Sequence, residues 1–246
     1  MESVERTSST NLSDMPPLER TSETSHLVPP SSPSTPSYLN LLSNICALIF
    51  TVIIICCSFK DGVTLFSFHP SLMCIGWLMI MTSAINAINP GDLATEWMPI
   101  RLRSARHWVL QIFGAIIITI GFLVILSNKI INNKSHFVTL HAKFGLAALI
   151  FMVLTSMGGI GALYSLKLKN YLAPIYTKLL HAGFGLLTFT LGIITILLGT
   201  FSHWWSFGEI LRYTSMILVL LVMLFTILRP SLKIYFRLKE RLGNMN

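Results

Sequence analysis

Histidine at the mouth of a long apolar run is a costly placement, and this chain makes it four times. His69, His107, His141 and His181 each precede about 19 or more mostly apolar residues, close to the length that crosses a bilayer. Two of the four belong to a repeat, "LHAKFG" at 140–145 and "LHAGFG" at 180–185, with their histidines 40 residues apart. A neutral imidazole in lipid needs a partner for its lone pair, and a haem iron is one that two facing helices can share. Glycines stand on the same helical faces: Gly76 and Gly114 seven residues after His69 and His107, Gly145 and Gly185 four residues after His141 and His181. A planar macrocycle between helices needs an imidazole for its iron and a flat surface one or two turns deeper, and glycine supplies such a surface. Close helix contact through small residues is the competing use of the same glycines.

The elements that must position these residues are membrane spans. Of the 246 residues 53% are hydrophobic and 11% charged, with a mean hydropathy of +0.68, far from an ordinary soluble domain. A bilayer core about 30 Å thick calls for about 20 apolar residues of helix. Six runs qualify, at about 38–58, 69–89, 107–127, 137–163, 176–201 and 211–230. The expected fold is therefore an all-α membrane protein of six transmembrane helices.

Before the first span, residues 1–37 contain 21 Ser, Thr and Pro and no apolar run, which predicts a disordered tail with no secretory signal. The first span then acts as the uncleaved insertion signal. After the last span, residues 231–246 read as a basic tail. Cys46, Cys56, Cys57 and Cys74 all fall in apolar runs without C-x-x-C spacing and read as small core residues.

Lys and Arg set the direction. Eleven lie on one side, among them Arg101, Arg103, Arg106, Lys167, Lys169, Lys178 and the carboxy-terminal cations, against four (Lys60, Lys129, Lys134, Arg212) on the other. Positive residues stay cytosolic, so both termini are expected in the cytosol. His69 and His141 then lie near the outer surface, His107 and His181 near the inner one, and the four sort into one pair per leaflet. The net charge of +8 has the same origin. With the cations spread along one membrane face and no aromatic residues interleaved, nucleic acid is excluded as a partner. Trp97, Trp108, Trp204 and Trp205 border span ends and read as interfacial anchors.

The blocks "FHP" at 68–70, "RHWVLQ" at 106–111, "HFVTLHAKFG" at 136–145 and "LLHAGFG" at 179–185, taken in order, resemble the six-helix cytochrome b561 family, and most closely its short branch that consists of the cytochrome core alone. The resemblance covers about residues 38–230. It implies a central four-helix bundle, formed by the middle four spans, that holds two b haems, with His69 and His141 as axial ligands of the outer iron and His107 and His181 of the inner one. It also implies a transmembrane oxidoreductase of the ferric-chelate or monodehydroascorbate reductase type, passing electrons from cytosolic ascorbate to an acceptor across the bilayer. The expected setting is an endomembrane, endoplasmic reticulum or vesicle, in preference to the plasma membrane, and a homodimer is the expected assembly. Two blocks depart from the better-known members: "TLHAK" at 139–143 stands where S-L-H-S-W is usual, and "AINAIN" at 84–89 replaces a stretch ending in Tyr-Arg.

No catalytic side chain is expected beyond the ligands. Ascorbate is a monoanion at neutral pH, so Arg101, Arg103, Arg106 and Lys178, beside the inner histidines, are candidates to attract it. On the outer side His136, Lys134 and Lys143 surround His141; His136 reads first as a loop residue and Lys143 as a snorkelling one, with a place at the acceptor site as the other candidate role for both. His26 and His203 receive no role. Two other readings stand beside electron transfer. A dihaem anchor subunit of a larger redox complex would need a soluble partner, since no loop is large enough for a catalytic head. A histidine-lined metal transporter would normally carry acidic ligands at midplane, and the spans contain no Asp or Glu.

Overall fold

The computed structural model describes residues 37–243. The expectation of a disordered tail falls, apart from Ser37, outside the described residues. Seven α-helices follow: α1 (Tyr38–Phe59), α2 (Leu65–Cys74), α3 (Met81–Asn86), α4 (Ile100–Ile131), α5 (Leu140–Leu163), α6 (Pro174–Thr200) and α7 (Glu209–Gly243). A π-helical turn, Ile75–Ile80, joins α2 to α3 as one span. Six helices are thus long and apolar enough to cross a membrane, as the sequence predicts, and the chain is a multi-pass membrane protein.

Helix starts follow local chemistry. Ser37 and Thr139 accept the backbone N–H of Asn40 and Ala142, at 3.4 and 3.2 Å, satisfying donors that the first turn leaves free. Thr64 and Ser67 form a reciprocal capping box at the head of α2. Pro174 opens α6 at a position where its missing N–H costs nothing. The sixth span differs from expectation at its far end: α7 runs through Pro230 to Gly243, so the basic segment continues the helix.

Neighbouring spans pack in the order third, second, first, sixth, fifth, fourth. Within this arc, α2/α3 with α4 and α5 with α6 form two antiparallel pairs. The first pair is nearly symmetric. A Cβ on Gly76 would meet Ile118 of α4, and one on Gly114 would meet Ile80 at 3.1 Å, each contact relating residues 38 apart to their counterparts. In the second pair a Cβ on Gly145 would lie 3.3 Å from Thr195 Cγ2, and one on Gly185 would lie 3.8 Å from Thr155 Cγ2. Gly76 and Gly114 therefore serve close helix contact within their pair, while Gly145 meets Thr195 and also lines the cavity that contains His69 and His141, where a flat surface is expected. Between the pairs, the buried ring of Trp77 lies on Gly192 of α6, where a Cβ would collide with it. Ile112, Ile116, Ile120 and Leu123 of α4 are exposed at three- and four-residue spacing, an outward apolar stripe suited to lipid.

Candidate metal centres

The four histidines meet in two pairs, although α2, α4 and α6 begin four to seven residues before theirs. The ring centres of His69 and His141 are 6.1 Å apart with planes at 88°, and those of His107 and His181 are 6.2 Å apart at 82°. His69 comes from α2 and His141 from α5; His107 comes from α4 and His181 from α6. Each couple thus bridges the space between the two helix pairs.

What aims the rings is a backbone carbonyl on the antiparallel neighbour. His69 Nδ1 lies 3.0 Å from Gly121 O, His107 Nδ1 2.8 Å from Ala84 O, His141 Nδ1 2.9 Å from Thr195 O, and His181 Nδ1 3.2 Å from Thr155 O. A carbonyl oxygen only accepts, so in every case Nδ1 carries the proton and donates it. Nε2 is then left with its lone pair, the state in which imidazole binds a metal, and the Nδ1–H to carbonyl bond fixes the ring's rotation.

The fit to a metal is quantitative. A bond of about 2 Å from each nitrogen to a shared ion, with about 1 Å more from nitrogen to ring centre, separates two ring centres by about 6 Å. Bare divalent cations, however, take four or more ligands, and no group of three or more His, Cys, Asp or Glu residues that could hold a metal occurs among the described residues. Two imidazoles on opposite sides suit an iron whose remaining positions a macrocycle supplies. For the outer pair there is room: a cavity of about 290 Å³ contains His69 and His141 and is walled by Phe66, Met73, Trp77, Leu149, Ile196 and Gly199, among others.

Two glycines that the sequence reading did not select admit the rings. A Cβ on Gly159 would stand 3.1 Å from His181 Cε1, and one on Gly199 would stand 3.4 Å from His141 Cε1 and Nδ1. They follow Thr155 and Thr195 by four residues, so a side chain there would cover the carbonyl that each imidazole must reach. The signal was present, since Thr155 and Gly159 recur as Thr195 and Gly199 at the 40-residue interval of the "LHA" repeat.

The candidate substrate residues separate. Arg103 is committed to its own loop: it pairs with Glu96 at 2.9 Å and donates to the carbonyls of Met98 and Glu96, also at 2.9 Å. Gly91 N donates to the same Glu96 carboxylate. Arg106, adjacent to His107, is half-buried, while Arg101 and Lys178 are exposed. None of these three has a hydrogen-bond or ion-pair partner among the described residues. The charges of Lys178 and Arg237 both bear on Lys233, which brings the cytosolic-side expectation for Lys178 together with the basic end of α7. At the opposite end His136 lines the cavity mouth beside Phe137, with ring centres 6.2 Å apart. Lys143 is exposed and Lys129, not Lys143, lines the cavity, donating to Ser135 O at 2.7 Å.

Comparison with known proteins places the chain among similar sequences. The family model described as eukaryotic cytochrome b561 matches residues 68–206. Transmembrane reductase CYB561D2 of Mus musculus is 33% identical over 165 residues, covering 67% of this chain and 73% of that protein. The Homo sapiens protein of the same name gives the same figures. Probable transmembrane reductase CYB561D1 of Mus musculus is 27% identical over 166 residues, covering 68% and 72%.

Proposed function

Because the chain belongs to the cytochrome b561 family, whose members carry haem b, we propose that it is a transmembrane oxidoreductase. Its donor is ascorbate in the cytosol, and its acceptor is a ferric chelate or monodehydroascorbate on the other side. Two b haems, when bound, would supply one-electron carriage at two depths of the membrane. The observation that carries the reading is the duplicated imidazole pair, each ring locked through Nδ1 by a neighbouring carbonyl, which leaves its Nε2 lone pair available. His69 and His141 hold the outer group, His107 and His181 the inner one.

The chain's own residues do the rest. Both termini lie in the cytosol, an orientation supported by the excess of Lys and Arg on that face. Arg106 and Lys178, next to the inner ligands and without competing partners, draw in the ascorbate anion and hold it by charge-assisted hydrogen bonds. Loss of one electron and one proton by the anion gives the monodehydroascorbate radical, and the proton passes to cytosolic water. Arg101 adds to the attracting field, whereas Arg103 shapes the loop. At the outer mouth Lys129 and His136 face the acceptor, and apolar walls exclude water in between.

Haem content and reduction of the purified full-length protein test this reading. Two low-spin haems per chain, reduced by ascorbate with no added protein, are expected. One haem per chain, or reduction only in the presence of a soluble protein, would favour the anchor-subunit reading.

A further inference from the structure

Three of the four carbonyls that orient the histidines lie well inside long helices. Gly121 stands in α4, Thr155 in α5 and Thr195 in α6, each with at least one further turn of helix beyond it. Ala84, which holds His107, is different. It lies two residues from the end of α3, a helix of six residues that follows the π-helical turn. The N–H that would close the next turn on it belongs to Ile88 and is directed to Ile85 O at 3.4 Å. Ala84 O is therefore one of the terminal carbonyls that a helix leaves without a backbone partner, and the His107 imidazole satisfies it. A helix end is where fraying begins, so something has to hold this one still.

A buried polar cluster does so. Ser83 Oγ donates to Asn44 Oδ1 at 3.2 Å, tying the residue before Ala84 to α1. Asn86 Nδ2 donates to Ser43 Oγ at 2.9 Å and to Asn40 O at 3.4 Å. Asn40 Nδ2 in turn donates to Asp92 Oδ1 at 3.2 Å. The Thr95 hydroxyl lies 2.8 Å from Asp92 Oδ2 and 3.1 Å from Ala87 O, with its single hydrogen shared between two acceptors. Asn40 and Thr95 are 0% exposed and Asn86 is 1% exposed. The chain thus leaves α3, turns back through Asp92 and Thr95, and clamps the helix end from both sides.

We propose that Asn40, Asn86, Asp92 and Thr95 act as positioning residues for the inner metal ligand, fixing the Ala84 carbonyl and through it the rotation and basicity of His107. The inference rests on the reading that His107 and His181 are axial ligands. A firm Nδ1–H to carbonyl bond makes an imidazole more electron-donating, which favours the ferric state. Slackening the clamp raises the inner midpoint potential and leaves the outer one alone, because His69 and His141 are held by Gly121 and Thr195. The "AINAIN" segment then has a task in this chain: its Asn86 is part of the clamp.

The test is a redox titration with electron paramagnetic resonance of the full-length, haem-loaded protein, in four forms: wild type, Asn86→Leu, Thr95→Val and Thr95→Ser. The inner component is the one absent from His181→Ala. Asn86→Leu and Thr95→Val are expected to raise the inner midpoint, alter the inner low-spin signal and change the rate of ascorbate reduction about tenfold, the usual scale when a ligand's hydrogen-bond support is loosened. Thr95→Ser, which keeps the hydroxyl, retains wild-type values. Loss of the inner haem alone also supports the proposal. Wild-type inner potentials and spectra in both Asn86→Leu and Thr95→Val would overturn it, as would joint loss of both haems in Thr95→Val. A wild type without two low-spin haems would overturn the underlying reading instead, and the two failures are thus distinct.

Discussion

The two helix pairs solve one problem with different means. In α5 and α6 the solution is local and repeated: histidine, glycine four residues on, then a Thr–Gly step whose carbonyl and bare Cα receive the opposite imidazole. The 40-residue interval relates every part of it. In α2/α3 and α4 the histidines and contact glycines keep a 38-residue interval, but the receiving carbonyls, Gly121 and Ala84, occupy unlike settings. One is mid-helix, and the other is a helix end held by a polar clamp. A ligand can thus be fixed by packing at its own helix contact, or by hydrogen bonds relayed from a third helix. The first should tolerate little change in volume, and the second little change in polarity.

The largest expected effect removes a ligand outright. His141→Ala and His69→Ala should each lower haem content from two to one per chain and stop delivery to an outer acceptor. His107→Ala and His181→Ala should instead abolish rapid reduction by ascorbate from the cytosolic side. The uncovered partner imidazole is left in an apolar setting without a ligand, a cost of about 1–3 kcal/mol, so thermal stability should fall as well. Haem content by spectroscopy and rate by stopped flow check both halves. If His141→Ala kept its inner haem and still reduced an outer acceptor at the wild-type rate, the two pairs would not work in series.

Volume comes next. Gly159→Ala places a methyl 3.1 Å from His181 Cε1, and Gly199→Ala places one 3.4 Å from His141. Each should weaken haem retention on its own side by about tenfold, with Gly159 the more sensitive. Gly161→Ala meets nothing within 4 Å and is the matched control. Gly192→Ala collides with the Trp77 ring and should cost about 1–3 kcal/mol in unfolding measurements without selecting one haem over the other. Equal haem loss in Gly159→Ala and Gly161→Ala would remove the case for close admission of the ring.

How much of this could be read from sequence follows from which interactions are local. Six spans were legible because length and apolarity are properties of a run, and the histidine pairing because alternating spans sort residues by depth. Gly76 and Gly114 were read as a flat surface for the cofactor, with close helix contact only as the competing use, and their contact with one another was not legible. Position i+7 fixes a face of the helix, yet a face bordering both a neighbour and a cavity does not declare which one a residue meets. Gly159 and Gly199 were hidden only by looking no further than the histidine blocks. The clamp around Ala84 was out of reach for a better reason. It joins Asn40 to Asp92 and Ser43 to Asn86, residues 52 and 43 apart whose meeting depends on how the loop after α3 returns to α1. The π-helical turn likewise has no composition that marks it.

The smallest expected effect concerns the charges around the inner pair. Arg106→Gln and Lys178→Gln remove cations outside the bonded network of the loop, whereas Arg103→Gln breaks that network. The first two should raise the KM for ascorbate several-fold while leaving both haem spectra and the unfolding temperature unchanged, since neither side chain has a hydrogen-bond or ion-pair partner among the described residues. Added salt should shrink the difference from wild type, because an attraction acting through water is screened over about 8 Å at physiological ionic strength. Arg103→Gln should show the opposite pattern, with lower stability and a KM that salt does not bring back towards wild type. A KM unaffected by Arg106→Gln and Lys178→Gln together would mean that the excess of positive charge on this face sets membrane orientation alone, and the donor would then have to be held by backbone groups or by the basic end of α7, where Lys233 and Arg237 stand near Lys178.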